Sequence, residues 1–212
     1  MHIPDGFLSV ATVATTYAVS AGGVSNAVRV VSKKLGEKQV PLMGVLAAFI
    51  FAAQMLNFPI VGGTSGHFLG AALAAILLGP WASVLIMSCV LIAQCLIFQD
   101  GGLLALGANI LNMGIIGSFG GYYVYRLAIL LVGDSRRGKL FGGFFGAWSS
   151  VFMAAVACAV ELAVSGVSPI MVVLPAMAGL HALIGIAEGL ITGAVLSLLL
   201  ATRADLLQLK RI

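Results

Sequence analysis

Apolar residues along the 212-residue chain run in long blocks, separated by short clusters of charge, glycine and proline. That punctuation predicts seven helices, over residues 8–32, 41–57, 67–78, 81–98, 108–132, 140–165 and 171–201. Most approach or exceed the roughly 20 residues that a helix needs to cross a hydrocarbon core. The third does not: at about 1.5 Å per residue its length is about 18 Å. It is expected to pair with a partly inserted loop, the preceding "NFPIVGGTSGH". Non-helical backbone at membrane depth persists only where protein buries it or where it lines a polar cavity, so a binding site is expected beside it.

Composition sharpens this picture. With 61% hydrophobic and 8% charged residues and a mean hydropathy of +1.13, the chain reads as an all-α polytopic membrane protein, with no stretch left for a soluble domain. Its net charge of +4 is a topology signal, not one for nucleic acid. Arg29, Lys33, Lys34 and Lys38 follow the first helix. Arg126, Arg136, Arg137 and Lys139 cluster around the end of the fifth, and Arg203, Lys210 and Arg211 lie in the tail. Seven spans put all eleven basic residues on one side, the cytoplasmic one, with the C-terminus. Met1, the loop before His67 and "QDGG" at 99–102 then face outward. Nothing before His2 has the n-region, h-region or cleavage site of a secretory signal, so the first residues are expected to be retained, without a cleaved signal peptide.

Small-xxx-small steps recur at Ala48/Ala52, Ala71/Ala75, Gly117/Gly121, Gly142/Gly146 and Gly185/Gly189/Gly193, spacing that lets helix backbones approach closely. Cys89, Cys95 and Cys158 lie in apolar stretches without disulfide or metal-finger spacing and read as core residues.

The chemistry concentrates at the start, "MHIPDGFLS". The Met1 amine, the His2 backbone nitrogen and the His2 imidazole are consecutive along the chain. One metal can close a five-membered ring through the first two and a six-membered ring through the amide and Nδ1. Loss of the amide proton demands a strongly Lewis-acidic ion, and nitrogens in a plane are the preference of Ni(II) and Cu(II). Of the two remaining histidines, His67 shares the outward side and can supply the fourth corner. His181 lies about 15 Å along the last helix and suits a buried hydrogen bond better. The competing reading, histidines that only satisfy helix ends, stays open here; the shared outward side favours metal. Glu161 and Glu188 are costly in a bilayer and so are candidates for function, with a structural hydrogen bond preferred for Glu188 and its helical neighbour His181. Asn57, Gln94, Asn109 and Asn112 fit interhelical hydrogen bonds or support around the metal, with Ser65 beside them. Asp5 and Asp100 can attract cations. No GxxxxGK[ST], GxSxG or HExxH occurs, so energy must come from a partner or a gradient.

Three stretches together, "MHIPDGFLS", "GGTSGHFLGAALAAILLGPWA" and "HALIGIAEGLITGAV", carry a resemblance over essentially the whole chain. It resembles the NikM/CbiM family, the substrate-capture S components of nickel and cobalt energy-coupling factor (ECF) transporters. The resemblance implies an extra N-terminal helix before a six-helix core, in one transmembrane domain over 1–212. Its parts would be a metal-binding start at 1–7, the extra helix and basic loop at 8–40, and the core at 41–212. It also implies metal ligation by Met1, His2 and His67, and residence in a prokaryotic inner membrane. Implied partners are an integral T component, two cytoplasmic ATP-binding subunits and a small accessory membrane subunit, with Ala48 and Ala52 as candidates for packing between subunits. "IPDG" looks like the nickel members, whereas many cobalt members read "MHIMEG" and carry a cleavable leader.

The reading that follows is capture of Ni2+ for an ATP-driven importer, the chain itself not being an enzyme. Co2+ capture for cobalamin synthesis is the alternative metal. A stand-alone cation channel or carrier would want a polar inward pathway, of which only Glu188 is evident. A membrane metalloenzyme would want an open coordination position and ranks last.

Overall fold

The computed structural model describes residues 1–36, 39–60 and 64–208 and is almost entirely helical. Its elements are α1 (Val10–Lys34), α2 (Gln39–Gln54), β1 (Phe58–Ile60), β2 (Thr64–Gly66) and α3 (Ala71–Leu78), followed by α4 (Pro80–Phe98), α5 (Leu106–Val132), α6 (Arg136–Val164) and α7 (Ile170–Thr202). A 3-10 turn, Ala204–Gln208, follows α7.

Local chemistry sets the helix ends. Ser9 opens α1 by accepting from the Thr12 amide at 3.2 Å, and Ser135 opens α6 by accepting from that of Gly138 at 3.1 Å. Gly70 (φ 77°) and Gly79 (φ 96°) bracket α3 in conformations that side chains resist, and Pro80 starts α4 directly after Gly79.

α4, α5, α6 and α7 are each long and apolar enough to cross a membrane, and α2 is a shorter apolar helix. Many large apolar side chains on these helices are exposed, with Leu130 80% and Met171 83% accessible, as expected of surface that faces lipid. The chain is a multi-pass membrane protein.

α3 is the buried centre: all of its residues are enclosed, and it packs against α2, α4, α5 and α6. Around it the glycines do what their spacing predicts. A Cβ on Gly121 would sit 2.9 Å from the Gly146 carbonyl, and one on Gly146 2.8 Å from that of Gly121, so α5 and α6 touch through backbone. Gly185 and Gly189 admit Trp148 and Phe144, whereas Gly193 faces open space.

Three expectations change. The stretch before His67 is a β-hairpin, with Phe58 opposite Gly66 and Ile60 opposite Thr64, so its backbone bonds are met by strand pairing; residues 61–63 lie outside the described residues. His67 does not open α3, because Gly70 in the left-handed region delays the helix to Ala71. Cys89 is exposed while Cys95 and Cys158 are buried. Lys38, Lys210 and Arg211 lie outside the described residues.

Candidate metal centre

Residues 1–5 run into a cup formed by the hairpin, the α4–α5 connection and α6. Met1 and Ile3 are fully buried and His2 is 3% exposed. The segment is held through its backbone. Asn109 accepts from the Ile3 amide at 2.9 Å and donates to the Ile3 carbonyl at 3.2 Å, which also accepts from Gly102 at 2.8 Å. Thr64 donates to the His2 carbonyl at 3.2 Å, and the Cys158 thiol lies 3.7 Å from that of Met1. The Met1 amine donates to the Ser65 carbonyl. Ser65 Oγ is 3.1 Å from the amine and 3.3 Å from the His2 backbone nitrogen, so both nitrogens face one hydroxyl, as closing a five-membered ring requires.

A chain of hydrogen bonds fixes the proton on the His2 ring. The Leu69 carbonyl can only accept, so the Gln54 amide donates to it at 2.8 Å. That turns Gln54 Oε1 to accept from Gln94 at 3.0 Å and leaves Gln94 Oε1, 3.0 Å from His2 Nε2, as an acceptor. Nε2 therefore carries the hydrogen and Nδ1 the lone pair. In His67, Nδ1 donates to the Phe68 carbonyl at 2.6 Å, which leaves the lone pair on Nε2. The two rings stack with centroids 4.4 Å apart, and both lone-pair nitrogens are buried without hydrogen-bond partners.

Burial keeps these donors unprotonated. It pushes the Met1 amine from 8.0 down to about 5, against opposing pulls from Cys158 and Asp100. Burial, assisted by the charge of the amine, pushes His2 down to about 3 despite its bond to Gln94. His67 is held well below its ordinary value by burial, the amine, His2 and His181, against its bond to Phe68. His2 Nδ1 lies 3.4 Å from Asp100 Oδ1. With the imidazole neutral this contact is no ion pair: two electron-rich atoms face each other, an arrangement that a cation relieves. Burial raises Asp100 above the usual carboxylate range, against the amine and Asn57.

The other expected residues divide. Ser65 and Asn109 touch the N-terminal segment directly. Asn57 reaches it only through Asp100, to which it donates at 2.9 Å. Asp5 accepts from the Leu103 and Leu104 amides at 3.1 and 2.7 Å, which makes it a loop anchor. Glu188 accepts from the Leu69 and Gly70 amides at 2.6 Å each and fixes the segment that follows His67. His181 bonds the Met177 carbonyl at 2.8 Å, separately from Glu188. Asn112 donates to Glu161 at 2.6 Å, and Ala48 and Ala52 are exposed on α2.

Gln54, Thr64 and Cys158 escaped the sequence reading. For Gln54 the signal was there, since an amide inside an apolar helix must find a partner. Among the described residues no three His, Cys, Asp or Glu side chains cluster as a metal site, so a site with more than two protein donors here has to draw on the terminal amine and the backbone nitrogen as well.

Residues 2–206 match the family CbiM, described as the cobalt uptake substrate-specific transmembrane region. A fused protein of Archaeoglobus fulgidus named for nickel transport (NikMN) is 44% identical over 99% of this chain and 69% of its own length. The fused nickel transport protein NikMN of Rhodobacter capsulatus is 36% identical over all of this chain and 65% of its own. The cobalt transport protein CbiM of Sorangium cellulosum is 31% identical over 98% of this chain and 94% of its own. The crystal structure of a transition metal transporter superposes with a TM-score of 0.85 at 39% identity, over 95% of this chain and 93% of that one.

Proposed function

The chain belongs to the CbiM family of cobalt uptake transmembrane proteins, and from that membership we propose that it captures a divalent transition ion, Ni2+, as transported substrate on the outward face of the membrane. The donors are the Met1 amine, the His2 backbone nitrogen, His2 Nδ1 and His67 Nε2. The observation that carries this reading is the pair of buried imidazole nitrogens left without partners, one of them facing the Asp100 carboxylate. An arriving ion accepts the lone pairs of the free amine and both imidazoles, the His2 amide gives up its proton to solvent as that nitrogen binds, and Asp100 offsets the charge of the ion. A closed set of four nitrogens in a plane rewards low-spin Ni(II) more than Co(II), which supports nickel. Relatives named for cobalt support Co2+ as the second candidate.

Seven spans with the N-terminus outside put the donors where the ion arrives. Without an ATP-binding motif, import is driven by partners: two ATP-binding subunits, an integral T component and a small accessory subunit. The exposed Ala48 and Ala52 on α2 offer a close-packing face for one of them.

The test is acetylation of the Met1 amine. It leaves the His2 and His67 imidazoles available but removes the lone pair of the amine, so the purified protein is expected to lose stoichiometric Ni2+ binding. Unchanged binding would refute ligation by the amine.

A further inference from the structure

Three imidazole nitrogens are buried without hydrogen-bond partners: His2 Nδ1, His67 Nε2 and His181 Nε2. Capture by the N-terminal chelate uses the first two and leaves the third unexplained. His181 is fully buried on α7. Its Nδ1 is 2.8 Å from the Met177 carbonyl, which can only accept, so Nδ1 carries the hydrogen and Nε2 presents a lone pair to the interior. Buried polar atoms are rarely left so, and each calls for a cause.

The backbone brings the two segments that carry this nitrogen and His67 together. Glu188, two turns further along α7, accepts from the Leu69 and Gly70 amides. Seven helical residues rise about 10.5 Å from Glu188 back to His181. Three non-helical steps from Gly70 back to His67 cover at most about 10 Å, a matching reach. α7 also packs against β2, the strand that ends just before His67.

We propose that the imidazoles of His67 and His181 form a second, inner position for a divalent transition ion, to which the ion passes when Met1 and His2 let go. The inference rests on the capture reading. In this exchange the metal keeps its bond to His67 Nε2, and the His181 lone pair fills one vacated coordination position while water fills the rest. The His2 amide nitrogen takes back from solvent the proton that it lost on chelation. Two neutral imidazoles suit Ni2+, Co2+, Cu2+ or Zn2+ and not Mg2+ or Ca2+. Such a pair holds an ion far more weakly than a tridentate chelate, as transit requires, because an ion that must move on cannot be held tightly.

The chain has three histidines, which makes the test direct. The untagged full chain in lipid nanodiscs, carrying His2→Gln, is loaded with Cu2+, and the ligated imidazoles are counted from their remote nitrogens by pulsed electron paramagnetic resonance. Only His67 and His181 remain, so a count of two is expected, falling to one when His181→Gln is added; Gln keeps a donor for the Met177 carbonyl. A count of one or none in the His2→Gln protein overturns the inner position. Should that variant not fold, His2→Ala serves in its place. The capture reading is judged separately, by affinity: His2→Gln is expected to weaken Cu2+ binding at least tenfold, and an undiminished affinity overturns capture whatever the count.

Discussion

Replacing Gln94 with methionine removes the acceptor that keeps the His2 proton on Nε2 while conserving side-chain length. Two buried groups then lose partners at 3.0 Å, the His2 Nε2 hydrogen and Gln54 Oε1. A buried orphan costs about 1–3 kcal/mol, so the metal-free protein loses about 2–6 kcal/mol unless it relaxes. Relaxation is at hand for the ring. Asp100 Oδ1 lies 3.4 Å from Nδ1, and moving the proton there turns that contact into a hydrogen bond. It also blocks the nitrogen that closes the six-membered chelate ring. Losing a partner that orients a metal-binding histidine typically lowers affinity about 10–100-fold, or about 1.4–2.8 kcal/mol. Calorimetric titration with Ni2+ measures that loss, and 15N spectra of labelled histidine report the tautomer independently of metal. Gln94→Glu is the informative partner, because its carboxylate still accepts from Nε2 and is expected to retain more affinity than methionine. An Nε2-protonated His2 with affinity within about twofold of the unaltered protein in Gln94→Met would refute the tautomer lock.

Two further outcomes are expected. In the metal-free protein the seated N-terminus binds fewer protons than a released one, because burial lowers the amine from 8.0 to about 5 and His2 from 6.5 to about 3. Seating is thus fully favoured above pH 8 and weakens as pH falls from 8 toward 5, and again from 6.5 toward 3. Hydrogen exchange of the Ile3 amide, after correction for the intrinsic rate, reads this directly, and protection that is flat with pH contradicts it. In the core, Gly121→Ala brings a Cβ to 2.7 Å from Ala72 Cβ and 2.9 Å from the Gly146 carbonyl. It is expected to destabilise by about 1–3 kcal/mol in thermal unfolding. Gly193→Ala meets nothing within 4 Å and is expected to be neutral or to stabilise by up to about 1 kcal/mol; equal effects would show that α5 and α6 do not pack through backbone.

The helices were legible because each is an uninterrupted apolar block, and the C-terminal end of α3 because Gly79 stands at its border; its start was read four residues early, at His67, because the left-handed Gly70 shows only in the fold. The hairpin was not, since "FPI" and "TSG" are too short to show an alternation of polar and apolar positions. At the candidate metal centre, the proposed donors of Met1 and His2 could be read from covalent adjacency alone, and His67 from the outward side that the charge pattern predicts for it. Gln94 and Asn109 were named as candidate support, but their partners were hidden, as were the roles of Gln54, Thr64 and Cys158, because these groups meet only through the fold: Gln94 is 92 residues from His2, and Cys158 is 157 from Met1. Asp5 shows the opposite failure. Its charge suggested attraction of cations, yet its oxygens are taken by backbone amides.

Both helices that grip the N-terminal segment contain a stretch of wider, π-helical winding, Gln94–Phe98 in α4 and Ile110–Ile116 in α5. Each begins at, or directly after, the gripping residue, Gln94 in one case and Asn109 in the other. Such a stretch accommodates one surplus residue without disturbing the phase of the helix on either side. Deleting one residue from either stretch would restore ordinary winding with both flanks still in phase, so that only the wide turn itself changes. The side chain set by that turn, Gln94 in one case and Asn109 in the other, is the part that shifts. Each grip sits at a surplus residue, so a one-residue deletion can unseat the N-terminus while leaving the span that carries the grip its full apolar character.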